Sequence, residues 1–168
     1  MDNKSRVLII DDDKDIHDIL NMALDSINRD EKKSLRKSLL EELSVNSSSK
    51  SPLIDIFHAY QGEEAISLLR DDSQPAMDLL VLDMLMPPGI NGAEVMKELS
   101  KTSKDLKIII STAYFHDLED QIREMAQHFN SVYLLMKPFN LNIFVDLVTG
   151  VLSEKESDLN SKDILKLK

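Results

Sequence analysis

The chain predicts an α/β domain, doubly wound on a parallel sheet. Three observations carry that expectation: five short β-branched or leucine-rich runs, an amphipathic helical pattern after each of them, and a polar or turn-forming break where each run stops. At 168 residues there is room for one domain with a real core and an extra segment, but not for a second independent domain. Hydrophobic residues make up 42% and charged residues 30%, a balance that supports folding and argues against a mainly disordered chain.

The first run, residues 7–10, is short and β-branched and reads as a buried strand, ended by Asp11-Asp12-Asp13. Over 14–28, Ile16, Ile19, Leu20, Ala23, Leu24 and Ile27 recur at helical spacing with Asp18, Asn21 and Asp25 between them. This stretch is expected to be a helix with its apolar face on the sheet. Residues 29–50 change character, with six Lys/Arg against four Asp/Glu and frequent Ser. They read as an insertion between the first helix and the second strand, with a short helix around Leu35, Leu39, Leu40 and Leu43 before a Ser/Asn run.

After Pro52, residues 53–60 form the second strand and 62–70 the second helix, with Ala65, Ile66, Leu68 and Leu69 on its apolar side. The third strand spans 78–82, and a helix follows over 92–101. Asn91 and Glu94 there have the spacing of a cap and its reciprocal partner. Residues 106–110 are the fourth strand and 117–129 its helix; 131–136 are the fifth strand, broken by Lys137-Pro138, and 140–153 the fifth helix. The tail, 154–168, is charge-balanced and is expected to extend the last helix or to fray. No internal repeat is visible.

A formal charge of −10 disfavours non-specific binding to nucleic acid or anionic membrane, which needs clustered Lys and Arg. With no cysteine, disulfides, thiolate zinc sites and thiol catalysis are excluded. The first apolar run is far below the length of a signal sequence or a membrane span, so a cytoplasmic location is the default expectation and membrane insertion is not expected.

In a doubly wound sheet, ligands bind at the carboxyl ends of the strands. Asp11-Asp12-Asp13 end the first strand, Asp83 the third, Ser111-Thr112 the fourth and Lys137 the fifth, so all of them can converge on one edge. Clustered carboxylates repel unless a cation compensates, and hard oxygen donors without His or Cys suit Mg²⁺, which commonly shares its shell with phosphate. An Asp carboxylate can attack phosphorus and form an acyl phosphate, with Lys137 neutralising the phosphoryl oxygens and the Thr112 hydroxyl donating to one of them. Asp13 reads as a helix cap, and Met84 and Met86 as packing residues. His17, His58, His116 and His128 show no ligand spacing and read as surface or internally satisfied residues.

The strings "VLIIDDD", "LLVLDMLMP", "IIISTAY" and "LLMKPF", in that order and each at an expected strand end, resemble the receiver domains of two-component response regulators over about residues 5–153. The resemblance implies a flavodoxin-like fold with strand order 2-1-3-4-5. It implies that Asp83 is the phosphoacceptor, that Asp11 and Asp12 are the acidic pair with Asp12 a direct Mg²⁺ ligand, and that Asp83 and the Leu85 carbonyl complete the metal set. Thr112 would be the switch hydroxyl and Lys137 the phosphate-contacting lysine, joined to Pro138 by a cis bond.

Two departures stand out. Pro87 and Gly92 enclose four residues where the family usually has three, and the aromatic switch position three before the lysine is Leu134, with Tyr133 one residue further back. A one-residue shift turns the ring to the opposite face unless a bulge restores it.

The resemblance implies a phosphoacceptor that takes its phosphoryl group from a sensor histidine kinase or a phosphotransfer protein. It would then switch conformation to regulate a downstream protein on the face of helix 4, strand 5 and helix 5. Such a chain is a signalling receiver, with only self-phosphorylation and self-dephosphorylation, and has no direct nucleic-acid partner. Two alternatives stand beside it: a receiver-fold binding module that works without phosphorylation, and an Asp-nucleophile phosphohydrolase using Asp11-x-Asp13. The hydrolase lacks a further strand-end acid, because Asp146 falls inside an expected helix. The tail has no room for an output domain, so the chain either acts alone through partners or is the receiver portion of a longer regulator. Its kinase, target, phosphoryl lifetime and oligomeric state, a homodimer included, stay open.

Overall fold

A computed structural model describes residues 4–40 (side chains to 29), 53–74, 76–103, 105–154 and 164–168. The strands are β1 Lys4–Ile10, β2 Leu53–Ala59, β3 Leu79–Leu82, β4 Lys107–Thr112, β5 Val132–Met136 and β6 Ile164–Lys166. The helices are α1 Lys14–Leu40, α2 Gly62–Leu69, α3 Gly92–Leu99, α4 Phe115–Ala126 and α5 Leu141–Leu152. The sheet runs in the order β2-β1-β3-β4-β5-β6; its first five strands are parallel, in the expected 2-1-3-4-5 order, and β6 is antiparallel to β5.

Strand alternation divides the core in two. Leu8, Ile10, Leu80, Leu82, Ile108, Ile110, Val132 and Leu134 face α2, α3 and α4. Val7, Ile9, Leu79, Val81, Ile109, Tyr133 and Leu135 face α1 and α5. Residues 7–10 of β1, all of β3 and residues 108–110 of β4 are apolar without alternation because both faces are covered. Met84 and Met86 are buried in the α2–α4 core, as packing residues. Asn91 and Glu94 form the expected capping box at the start of α3.

The structure departs from the sequence reading at two elements. The first helix does not stop near 28 but runs on to Leu40, so residues 29–40 continue α1 instead of opening a separate excursion. They carry Lys, Arg, Glu and Leu and no Pro or Gly, so nothing in them ends a helix. The remainder of the 29–50 segment, with Leu43 and the Ser/Asn run, lies outside the described residues. The tail, where described, neither extends α5 nor frays: Ile164–Lys166 pairs with β5, whose outer N–H and C=O groups would otherwise form a bare edge. The Leu167 amide donates to the Val132 carbonyl at 2.8 Å, and the Val132 amide donates to the Lys168 carbonyl at 3.2 Å.

At the opposite edge, the Asn28 side chain does for β2 what β6 does for β5. Its carboxamide donates to the Ile54 carbonyl at 2.9 Å and accepts from the Ile54 amide at 2.8 Å.

Candidate functional site

The parallel ladder brings the strand-end residues together. The Asp11 amide donates to the Ala59 carbonyl and the Asp83 amide to the Ile10 carbonyl, so each carboxylate leaves its strand in step with its neighbour. Asp11, Asp12 and Asp83 each place a carboxylate oxygen within 4.8 Å of the others. The Lys137 ammonium, at the end of β5, donates to Asp11 Oδ2 at 2.6 Å and to Asp83 Oδ2 at 2.9 Å. Asp83 Oδ1 accepts from the Met84 amide at 2.6 Å. Asp11 is buried, Lys137 and Asp83 are largely covered, and Asp12 is exposed at the mouth.

Burial by itself would lower the pKa of Lys137, but the hydrogen bonds and charges of Asp11 and Asp83 outweigh it and hold the ammonium above the ordinary lysine value. Three carboxylates against one ammonium leave two negative charges. An all-oxygen donor set with that surplus and an exposed member facing solvent fits a hard divalent cation such as Mg²⁺.

Thr112 is fully buried at the end of β4, and its Oγ1 accepts from the Tyr114 amide at 3.2 Å. The Lys137 amide donates to the Thr112 carbonyl at 3.0 Å, which ties this residue to the lysine through the main chain. Leu85 is partly exposed two residues past Asp83, and its amide lies 3.4 Å from Asp83 Oδ1. Asp13 stands apart from the carboxylate cluster and caps α1, its Oδ1 accepting from the Asp15 amide at 2.9 Å. The Lys137–Pro138 bond is cis, and so is Pro87–Pro88.

Tyr133 is not beside Thr112. The β4–β5 register is unbroken, so no bulge restores the one-residue shift. Leu134 shares the α2–α4 face with Ile110, two residues before Thr112, whereas the Tyr133 ring lies in the α1/α5 core with Phe144, Leu147 and Val148. A switch residue following Thr112 would have to stand on Thr112's own face.

The longer loop after Asp83 leans on the start of α2. The Gly89 amide donates to Gln61 Oε1 at 3.0 Å and the Ile90 amide to Glu63 Oε1 at 3.2 Å. The loop closes against the strand end at Gly92, whose amide donates to the Met84 carbonyl at 3.1 Å. A Cβ there would collide with the Asp83 carbonyl oxygen and lie 2.9 Å from the Met84 sulfur, so glycine is needed for close approach.

The sequence reading assigned no role to His17 and His58, and the structure joins them under the acidic turn. His17 is 2% exposed; its Nε2 lies 2.8 Å from the Asp11 carbonyl oxygen and its Nδ1 2.7 Å from His58 Nδ1. Burial first, and then the neighbouring His17, lower the pKa of His58, with Asp18 opposing. The signal in the sequence was spacing: His17 stands at helical intervals from Leu20 and Leu24, on the buried stripe of α1.

Comparisons with known proteins bear on the family and the fold. The family model "Response regulator receiver domain" matches residues 30–149, a stretch that holds Asp83, Thr112 and Lys137 and starts after Asp11 and Asp12. The response regulator MprA of Mycobacterium avium (strain 104) is 36% identical over 108 residues, 64% of this chain and 35% of its own length. The chain thus spans about a third of that relative. The crystal structure of a CheY-like receiver domain protein from Methanospirillum hungatei JF-1 superposes with a TM-score of 0.62 at 20% identity, over 92% of this chain and 98% of that one, which speaks for the fold. The response regulator TrrA of Thermotoga maritima, crystallised in complex with Mg²⁺-BeF, has a TM-score of 0.55 at 29% identity over 88% of this chain and 98% of that one. No helix among the described residues is long and apolar enough to cross a membrane. With the doubly wound sheet, the acidic cluster at its carboxyl edge and a family match over well more than half its residues, the chain belongs to the response regulator receiver domain family of two-component signalling.

Proposed function

We propose that this receiver takes a phosphoryl group onto Asp83 from the phosphohistidine of a sensor kinase or phosphotransfer protein in the cytoplasm, and that the resulting change regulates a protein partner. The observation that carries this is the Lys137 ammonium held between Asp11 and Asp83 in a cluster whose third carboxylate, Asp12, faces solvent. Asp83 supplies the carboxylate oxygen that attacks phosphorus. The new P–O bond forms as the donor's P–N bond breaks, its electron pair staying on the imidazole nitrogen, and the product is an acyl phosphate. Lys137 neutralises the phosphoryl oxygens, and the Thr112 hydroxyl donates to one of them.

Asp11, Asp12, Asp83 and the Leu85 carbonyl would hold Mg²⁺. Bound there, Mg²⁺ supplies the remaining positive charge that a transferring phosphoryl group requires. The partner would read the face of α4, β5 and α5, a surface that in this chain carries β6 along the outer edge of β5.

The test is incubation with acetyl phosphate and Mg²⁺. The parent chain should acquire an acid-stable, base-labile label, and Asp83→Asn should acquire none. Equal labelling of the two would show that the acceptor is elsewhere. One observation favours a receiver that binds partners without phosphorylation: Tyr133 lies on the face opposite Thr112. Unchanged NMR signals from α4 and β5 on adding beryllofluoride with Mg²⁺ would favour that second reading.

A further inference from the structure

We propose that His17, seated by His58, is a positioning residue for the acidic turn: it fixes the Asp11–Asp12 peptide and so aims Asp12 at the cation. The proposal rests on reading the cluster as a Mg²⁺ site. A carbonyl oxygen can only accept, so the contact of 2.8 Å to the Asp11 carbonyl requires the hydrogen on His17 Nε2. A neutral His17 then presents a lone pair at Nδ1, and His58 Nδ1, 2.7 Å away, must be the donor to it. With His17 neutral, both tautomers follow from that one carbonyl. The Tyr60 ring packs against His17 with centroids 4.4 Å apart, and the His17 ring is 2% exposed, so it is held on all sides.

The bond matters for Asp12 because the Asp11 carbonyl belongs to the peptide that joins the two residues. That peptide is planar, so holding its oxygen fixes the direction in which the Asp12 Cα leaves it. The Asp11 carboxylate is already engaged, by Lys137 on Oδ2 and by the Asp13 amide at 3.0 Å on Oδ1. Among the described residues no hydrogen bond or ion pair holds the Asp12 carboxylate, so its aim is set by its own backbone. The chain of contacts runs from β2 through α1 to the end of β1, the role that outer-shell groups play around metal ligands.

A buried histidine that is merely satisfied differs from a positioning residue in what its variants change. Mg²⁺ binding to the full chain is followed by calorimetry and by amide NMR shifts, with thermal unfolding measured in parallel. His17→Phe fills the space without a donor and should weaken Mg²⁺ about tenfold or more, the scale of an outer-shell loss. His17→Gln keeps an N–H in reach of the Asp11 carbonyl and should recover most of the affinity, with His58→Phe falling between. Long-range 1H–15N spectra of the metal-free protein should show His17 protonated at Nε2 and His58 at Nδ1.

Parental Mg²⁺ affinity in His17→Phe overturns the proposal even if its melting temperature falls, because that is the signature of packing alone. A His17 protonated only at Nδ1 overturns it too. If His17→Phe does not fold, the contrast between His17→Gln and His58→Phe and the tautomer spectrum decide. A parent chain that binds no Mg²⁺ instead removes the metal reading, and the proposal with it.

Discussion

Lys137 is the residue on which the site's electrostatics turn. Its pKa is raised above 10.5 in the folded chain, so the folded state holds the proton more tightly than the unfolded one. The stability this gives is fully present below pH 10.5 and is lost as pH rises through the raised folded value. Lys137→Met should therefore lack that alkaline loss in urea titrations, and at neutral pH it should cost roughly 3 kcal/mol, because two largely covered carboxylates lose their cation. His58 works in the other direction. Its folded pKa is lowered from 6.5, chiefly by burial, so acidification protonates the unfolded chain first. Stability should fall as pH drops below 6.5 and level off beneath the folded value; His58→Phe should flatten that slope. The carboxylates and Lys137 were legible as strand-end charges, whereas the pairing of His17 with His58 spans 41 positions and belongs to no local pattern.

Among the elements, the two ends of the sheet show what a strand edge demands. β5 is covered by β6, and β2 is met by the Asn28 carboxamide. Leu167→Pro removes the amide that donates to the Val132 carbonyl, and should cost about 1 kcal/mol. Amide exchange at Val132 should speed up in that variant while β1 and β3 amides keep their protection, a contrast read by NMR. A tail of mixed charge carries little sign of a strand, because Ile164–Lys166 is only three residues long and is a strand through its antiparallel pairing with β5. α1 was expected over 14–28, and its continuation to Leu40 was missed for a different reason. Composition changes at residue 29, yet a helix ends where capping or breaking residues stop it, and there are none before Leu40. Asn91 and Glu94, by contrast, carry their stop and start chemistry in sequence, and α3 begins where they place it.

For the molecule as a whole, the cluster at the carboxyl edge links folding to cation binding. Asp11 and Asp12 follow β1 and Asp83 follows β3, so the three carboxylates come together only in the folded chain and Mg²⁺ should bind the native state in preference to the unfolded one. Stability should rise with Mg²⁺ concentration, by about 2.7 kcal/mol at a hundredfold excess over Kd. Asp12→Ala should remove most of that rise, and urea unfolding at several Mg²⁺ concentrations would measure both. If the parent gains nothing from Mg²⁺ in the millimolar range, the cation reading of the cluster is wrong.

The amino-acid sequence by itself determined the alternation of strands and helices, the parallel sheet and the set of charges at its carboxyl edge. Each of these is written in local periodicity and in where an apolar run stops. Tertiary structure alone decided which face Tyr133 takes, what covers the edges of β5 and β2, and how the loop from Pro87 to Gly92 rests on α2. It also decided that two histidines meet beneath Asp11. The reason is physical: those outcomes depend on contacts between residues far apart in the chain, where register and packing choose the partner and local propensity has no say.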